Sequence, residues 1–74
     1  MSKITEQALR EMIRSAEARG ERVYVEGGDT PEDYDTGWVY EGNLGDLMVS
    51  WDSGVHTCVP EQDGIVYVTV VDQR

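Results

Sequence analysis

The spacing of the apolar residues changes at Gly20, and this change constrains the fold more than any other feature of the chain. After Gly20, apolar and polar residues alternate, which is typical of half-buried β-strands. Before Gly20, the apolar residues recur at helical spacing on one face: Ala8, Leu9, Met12, Ile13 and Ala16. The sequence therefore predicts one N-terminal helix followed only by strands.

Signals at both ends place this helix over residues 5–19. Thr5 suits the N-cap, because its hydroxyl can accept a backbone N–H of the first turn. Gly20 suits the left-handed residue that follows many helices. Glu6 and Arg10 are four residues apart and are expected to pair on the helix surface.

The alternating part of the chain predicts up to five strands joined by short turns. Pro60 ends one strand, and Gly54 suits the left-handed position of a three-residue hairpin loop. The predicted strands are 22–26, 37–41, 46–51, 55–59 and 65–71. We expect a single α+β domain over residues 1–74, with the helix packed on a four- to five-stranded, mainly antiparallel, strongly bent sheet. An open sheet and a small closed barrel both fit this pattern. The pattern also allows either face of strand 55–59 to be the buried one.

Charge is distributed very unevenly along the chain, whose formal net charge is -9. Residues 23–73 contain no Lys or Arg, whereas all but one of the bases lie in the first 22 residues. The same span contains eleven acids: Glu26, Asp29, Glu32, Asp33, Asp35, Glu41, Asp46, Asp52, Glu61, Asp63 and Asp72. An acidic surface can serve solubility alone. However, such a surface usually mixes both signs, and repulsion among like charges costs stability.

A functional interpretation follows from the chemistry of nucleic acids. Duplex DNA carries one negative charge per roughly 1.7 Å of its axis, and carboxylates spread over strands and loops can imitate that field. We therefore expect the protein to bind a basic, nucleic-acid-binding protein and not nucleic acid itself.

The predicted partner-binding residues combine acids with aromatic side chains, which are enriched at the centres of interfaces. Tyr34 is the expected anchor because acids flank it on both sides, whereas Trp51 is expected in the core. Trp38 and Tyr40 suit either the core or the interface. The full predicted set is Asp29, Glu32, Asp33, Tyr34, Asp35, Trp38, Tyr40, Glu41, Asp46, Asp52, Glu61 and Asp63.

The residues do not predict an enzyme, a metal site or a cofactor. His56 and Cys58 are the only soft metal ligands, and a structural zinc site needs about four. The segment "DTPEDYD" lacks the spacing of a calcium-binding loop, and "EGGD" lacks the lysine and the helix of a phosphate loop. The lone cysteine favours a reducing cytosol, and no apolar run has the length of a membrane span.

Two resemblances add to these expectations. Residues 37–68, with the "WDSG" turn after an aromatic strand, resemble SH3-like or Tudor-like barrels, which implies a module that binds a peptide or a structural partner. In its size, acidity and lone-domain organisation, the whole chain resembles the small acidic anti-CRISPR proteins of phages and mobile elements, including those directed at type I-C systems. That resemblance implies binding to a CRISPR surveillance complex, often over its DNA-binding surface. We also expect a monomer in the cytoplasm of a bacterial host.

Overall fold

A computed structural model describes residues 4–28, 32 and 34–73, without the side chains of residues 72 and 73. The described residues form one helix and two antiparallel sheets, which confirms the α+β class. The elements are β1 (Ile4–Thr5), α1 (Glu6–Ala18), β2 (Val23–Gly27), β3 (Asp35–Glu41), β4 (Leu47–Trp51), β5 (His56–Cys58), β6 (Glu61–Gln62), β7 (Ile65–Val66) and β8 (Thr69–Gln73). Among the described residues, no helix has the length and apolar character needed to cross a membrane.

Local signals set both ends of α1, as the sequence predicts. The hydroxyl of Thr5 accepts a hydrogen bond from the backbone N–H three residues later at 3.0 Å. At the other end, Gly20 has a φ of 72°, and its N–H donates to the carbonyl of Glu17. The N–H of Glu21 donates to the carbonyl of Ala16 at 2.8 Å. These two bonds satisfy carbonyl groups that the end of a helix would otherwise leave without partners.

The larger sheet has five strands in the order β5-β4-β3-β2-β8, and all neighbouring pairs are antiparallel. Four predicted strands correspond to β2, β3, β4 and β5. The loop between β4 and β5 is the expected three-residue hairpin, because the N–H of Trp51 donates to the carbonyl of Val55 and Gly54 has a φ of 99°. The last strand, β8, pairs with the free edge of β2.

The prediction of one strand over residues 65–71 and of four to five strands in total is wrong. The chain divides at Tyr67 and Val68, so that β7 belongs to a three-stranded sheet, β1-β7-β6, while β8 joins the larger sheet. Asp63 and Gly64 both have positive φ, 54° and 80°, and form a two-residue turn between β6 and β7. The N–H of Tyr67 then donates to the carbonyl of Pro60 instead of continuing a ladder in the larger sheet. The strong bend stays a prediction.

The core lies between α1, the smaller sheet and one face of the larger sheet. The helix contributes Leu9, Ile13 and Ala16, all of them buried. Trp51, which the sequence predicts in the core, is half-buried and packs against the core from its edge. The remaining buried side chains are mainly valines: Val23, Val25, Val39, Leu47, Val49, Val59, Val66 and Val68.

Candidate partner-binding surface

Strand β3 runs through the middle of the candidate surface and divides its residues between two faces of the sheet. The face toward α1, here called the core face, takes Gly37 and Val39 and has Asp35 and Glu41 at its two ends. The other face, here called the open face, takes Trp38 and Tyr40. The two acids on the core face have very different surroundings.

Glu41 is paired with the helix. Its carboxylate accepts hydrogen bonds from Arg10 at 2.8 Å and from Arg14 at 3.1 Å. Hydrogen bonds from Arg14 and Arg10 lower the pKa of Glu41, and Glu6 together with Glu41 raises the pKa of Arg10. Glu41 is a predicted partner-binding residue, but its charge serves the contact between helix and sheet. We therefore leave it out of the surface proposed below.

Asp35 lies at the opposite end of β3, beyond the reach of these arginines. Its Oδ1 accepts the N–H of Thr36 at 2.8 Å, and its Oδ2 accepts the N–H of Ser53 at 3.3 Å. The hydroxyl of Thr36 donates to the carboxylate of Asp52. These bonds hold the start of β3 against the β4–β5 turn and bring two acids together.

We call the described acids around this edge the acidic end of the protein. They are Glu26, Asp35 and Asp52, whereas Glu32 is exposed in the connection between β2 and β3. Among the described residues, the salt bridges join Arg10 to Glu6 and Glu41, Arg14 to Glu41 and Arg19 to Glu21, so no member of the acidic end takes part in one. The predicted site residues Asp29 and Asp33 lie outside the described residues.

Tyr34 is attached to the acidic end through its hydroxyl. The side chain is half exposed, and its hydroxyl donates to the carboxylate of Glu26. This hydrogen bond raises the pKa of Tyr34, because ionisation would remove the donor and place a phenolate beside a carboxylate. The ring of Tyr34, the predicted anchor, is therefore accessible to a partner, while its hydroxyl is bound to Glu26.

The open face carries a row of ring side chains. The ring centroids of Trp38 and Tyr40 are 5.2 Å apart, and those of Tyr40 and His56 are 5.9 Å apart. The Tyr40 hydroxyl and His56 Nδ1 are within hydrogen-bond distance, 2.8 Å. The guanidinium of Arg22 lies over the Trp38 ring, with its Cζ 4.1 Å from the ring centroid. This base is therefore occupied by a cation–π contact on the protein itself.

The structure answers the question of how strand β5 is oriented. Ser50, on the open face of β4, is opposite His56, and Met48 is opposite Cys58. His56 and Cys58 therefore lie on the open face, where both are exposed. In the part of the chain that the structure describes, no three His, Cys, Asp or Glu side chains form a cluster that could hold a metal ion.

Another predicted acid, Asp46, lies at the opposite end of β3, because it precedes Leu47, the residue that pairs with Glu41. Asp46 and Glu61 are exposed and line a shallow depression beside Arg10, near the start of α1. Asp63 occupies the β6–β7 turn, and the neighbouring Gly64 N–H donates to Glu61 at 2.7 Å. The predicted residues thus form two acidic regions at opposite ends of β3, with the aromatic open face between them.

The acidic end also contains a groove that the sequence does not predict. It has a volume of about 450 Å³. Its walls are formed by Trp51, Tyr67, Val55, Pro60, Val68, Gly27, Gly28, Asp35 and Ser53. The Asp-Gly pair at residues 63–64 is the sequence signal that could have revealed it. A two-residue turn there lets β6 pair with β7 in a short hairpin, which ends at Val66. Residues 67–68, which follow this hairpin, then lie close to Pro60.

No protein-family model, curated protein or solved structure matches this chain. Its fold and surface define an α+β protein with an acidic end, an aromatic open face and a groove between the sheet and the 67–68 connection.

Proposed function

We propose that this protein is a non-enzymatic acidic inhibitor that binds a nucleic-acid-binding protein complex and blocks its recognition of target DNA. In its specific form, it is an anti-CRISPR protein that acts as a monomer in the cytoplasm of a bacterial host, against a CRISPR surveillance complex. One observation carries this proposal. Among the acids of residues 23–73 whose side chains the structure describes, Glu41 alone forms a salt bridge, so no basic side chain of the described residues neutralises the others.

The spacing of the acids supports imitation of a duplex. A β-strand rises about 3.3 Å per residue, so the six steps from Asp35 to Glu41 separate the two acidic regions by roughly 20 Å. The protein measures 34 × 27 × 26 Å overall, and one turn of duplex DNA is about 34 Å long. The carboxylates can therefore extend over much of one turn of a DNA-binding channel.

The electrostatics favour a basic partner. Unpaired carboxylates on two sides of a small domain create a negative field that steers the protein toward a surface rich in Lys and Arg. The same field repels phosphates, which disfavours direct binding to nucleic acid. Because exposed charges are screened by salt, the complex should form more slowly at high ionic strength.

Surface plasmon resonance with a purified type I-C surveillance complex tests this proposal. The complex is immobilised and saturated with the protein, and target duplex is then injected. We expect the bound protein to abolish the DNA signal, and added salt to weaken the binding of the protein. Simultaneous binding of DNA and protein, with neither affinity changed, would contradict charge mimicry.

The alternative function is an SH3-like interaction module, and the contact between Trp38 and Tyr40 on the open face favours it. In that case the aromatic face, and not the acids, would supply the binding energy. Replacement of Trp38 or Tyr40 by Ala would abolish partner binding, whereas reversal of acidic residues would be tolerated. Charge mimicry predicts the greater sensitivity at the acids.

A further inference from the structure

The groove at the acidic end is bounded by apolar walls and one anchored carboxylate. We propose that it binds an arginine side chain on an extended segment of the partner protein, with the guanidinium against Asp35 and the aliphatic stem between Trp51 and Tyr67. This inference rests on the proposed function, since it names the partner chemistry that the acidic end recognises.

The walls suit the long stem of an arginine. Trp51 is held in place because its indole N–H donates to the hydroxyl of Thr57 at 2.8 Å. Tyr67 and Val55 are about half exposed and offer apolar surface to a ligand. Gly27 keeps the space open, because a Cβ there would lie 3.3 Å from Val68 and 3.6 Å from Trp51. Arginine side chains bury their methylene groups on such surfaces and stack the guanidinium on aromatic rings.

Asp35 supplies the charge at the groove. Two backbone N–H groups, those of Thr36 and Ser53, orient its carboxylate. A carboxylate has about four acceptor positions, so two remain for the paired N–H groups of a guanidinium. No basic side chain in the described part of the chain forms a salt bridge with Asp35.

Glu41 shows how an equivalent carboxylate of this protein is satisfied. It lies on the same strand and the same face as Asp35, and two arginines of α1 bind it. The helix does not supply an arginine to Asp35. Because the apolar wall excludes part of the solvent around Asp35, a partner's arginine would there form a stronger contact than at a fully exposed acid.

The groove is also large enough for more than a free amino acid. Its volume of about 450 Å³ falls within the roughly 300–1,000 Å³ of typical ligand pockets. Its lining comes from the ends of three strands, β2, β3 and β4, and from connecting segments, so neighbouring residues of an extended segment can follow the arginine. This geometry favours a peptide segment as the occupant.

The test is an NMR titration of the ¹⁵N-labelled protein with the peptide acetyl-Ala-Ala-Arg-Ala-Ala-amide. Peptides with lysine or citrulline in place of arginine serve as comparisons, because citrulline keeps the shape and removes the charge. We expect the arginine peptide to shift the indole N–H of Trp51 and the amides of Gly28 and Ser53. The lysine peptide should bind more weakly, and the citrulline peptide should leave these signals unchanged.

Two variants with the same change in net charge locate the contact. Asp35→Asn should weaken binding of the arginine peptide on the order of tenfold, as expected for the loss of a charge-assisted pair. Asp46→Asn, at the opposite end of β3, should change it less than about twofold, because exposed charges at that distance are screened. Tyr67→Ala removes part of an exposed wall and should also weaken binding, which keeps the test valid should Asp35→Asn perturb the fold.

Several results would overturn the inference. They are equal binding of the arginine and citrulline peptides, equal binding of the arginine and lysine peptides, equal losses in Asp35→Asn and Asp46→Asn, or no shift of the groove signals at millimolar peptide. The titration contains no nucleic-acid-binding complex, so its outcome is separate from that of the proposed function. Inhibition of DNA binding without peptide binding would remove the groove inference alone. Peptide binding without competition against DNA would remove the proposed function and leave an arginine-binding groove.

Discussion

Replacement of Leu9 by Ala tests whether α1 is held by its packing on the sheet. Leu9 is fully buried in the core between the helix and the larger sheet. Truncation of a buried leucine costs about 2–5 kcal/mol, depending on how far the cavity collapses. A 74-residue domain has a free energy of unfolding of roughly 4–11 kcal/mol at typical values per residue. The variant should therefore lose about 3 kcal/mol, a large part of the total.

Leu44 provides a matched control for the same chemical change. It lies in the β3–β4 turn and is 96% exposed, so Leu44→Ala should alter the free energy of unfolding by less than about 0.5 kcal/mol. Urea unfolding followed by far-UV circular dichroism measures both. With a slope of about 1 kcal/mol per molar urea, the midpoint should fall by roughly 3 M for Leu9→Ala and stay nearly constant for Leu44→Ala. Similar shifts for the two variants would refute the packing of α1 described above.

Three further predictions concern the charges. The melting temperature at pH 7, measured by calorimetry, should rise with the NaCl concentration. The reason is that the Debye length falls from about 10 Å at 0.1 M to about 3 Å at 1 M, which weakens the repulsion among unpaired acids. A melting temperature that stays constant or falls would show that the acids are dispersed or paired. Glu41→Gln should lower the free energy of unfolding by about 1 kcal/mol. The pKa of Glu41 is lowered in the folded state, so the difference in stability between the two proteins should be complete above the ordinary pKa of 4.5. It should vanish as the pH falls through the pKa of Glu41 in the folded protein. A difference that does not depend on pH in urea titrations would contradict this prediction. The double charge reversal Asp33→Lys/Asp35→Lys should mainly reduce the association rate with the partner, and Tyr34→Ala should mainly raise the dissociation rate. Surface plasmon resonance measures the two rates separately. Unchanged rates in both variants would exclude the acidic end from the interface.

The success of the sequence prediction depended on how local each signal is. The ends of α1 follow from Thr5 and Gly20, whose hydrogen bonds reach only a few residues along the chain. The strands from β2 to β5 follow from alternation and from glycines in short turns. By contrast, "IVYVTVV" has the same alternation whether it forms one strand or two. The pairing of β7 with the distant β1 decides between them, and propensity carries no information about that contact.

The candidate site shows the same division. The exclusion of bases from residues 23–73 is visible in the sequence, and among the described residues the acids of the acidic end form no salt bridge. The pairing of Glu41 with Arg10 joins residues 31 positions apart, and alternation cannot reveal such a contact. The groove is equally non-local, because its walls come from β2, β3, β4 and the 67–68 connection.

Competition with target DNA tests the central claim most directly. Fluorescence anisotropy reports the binding of a labelled target duplex to the surveillance complex at increasing, fixed concentrations of the protein. If the acidic surface occupies the DNA-binding channel, the apparent Kd for DNA should increase in proportion to the protein concentration without reaching a limit, and the affinity of the protein itself should fall as salt is raised. An apparent Kd that reaches a plateau, or does not change, would show that DNA and protein bind together and would contradict the account.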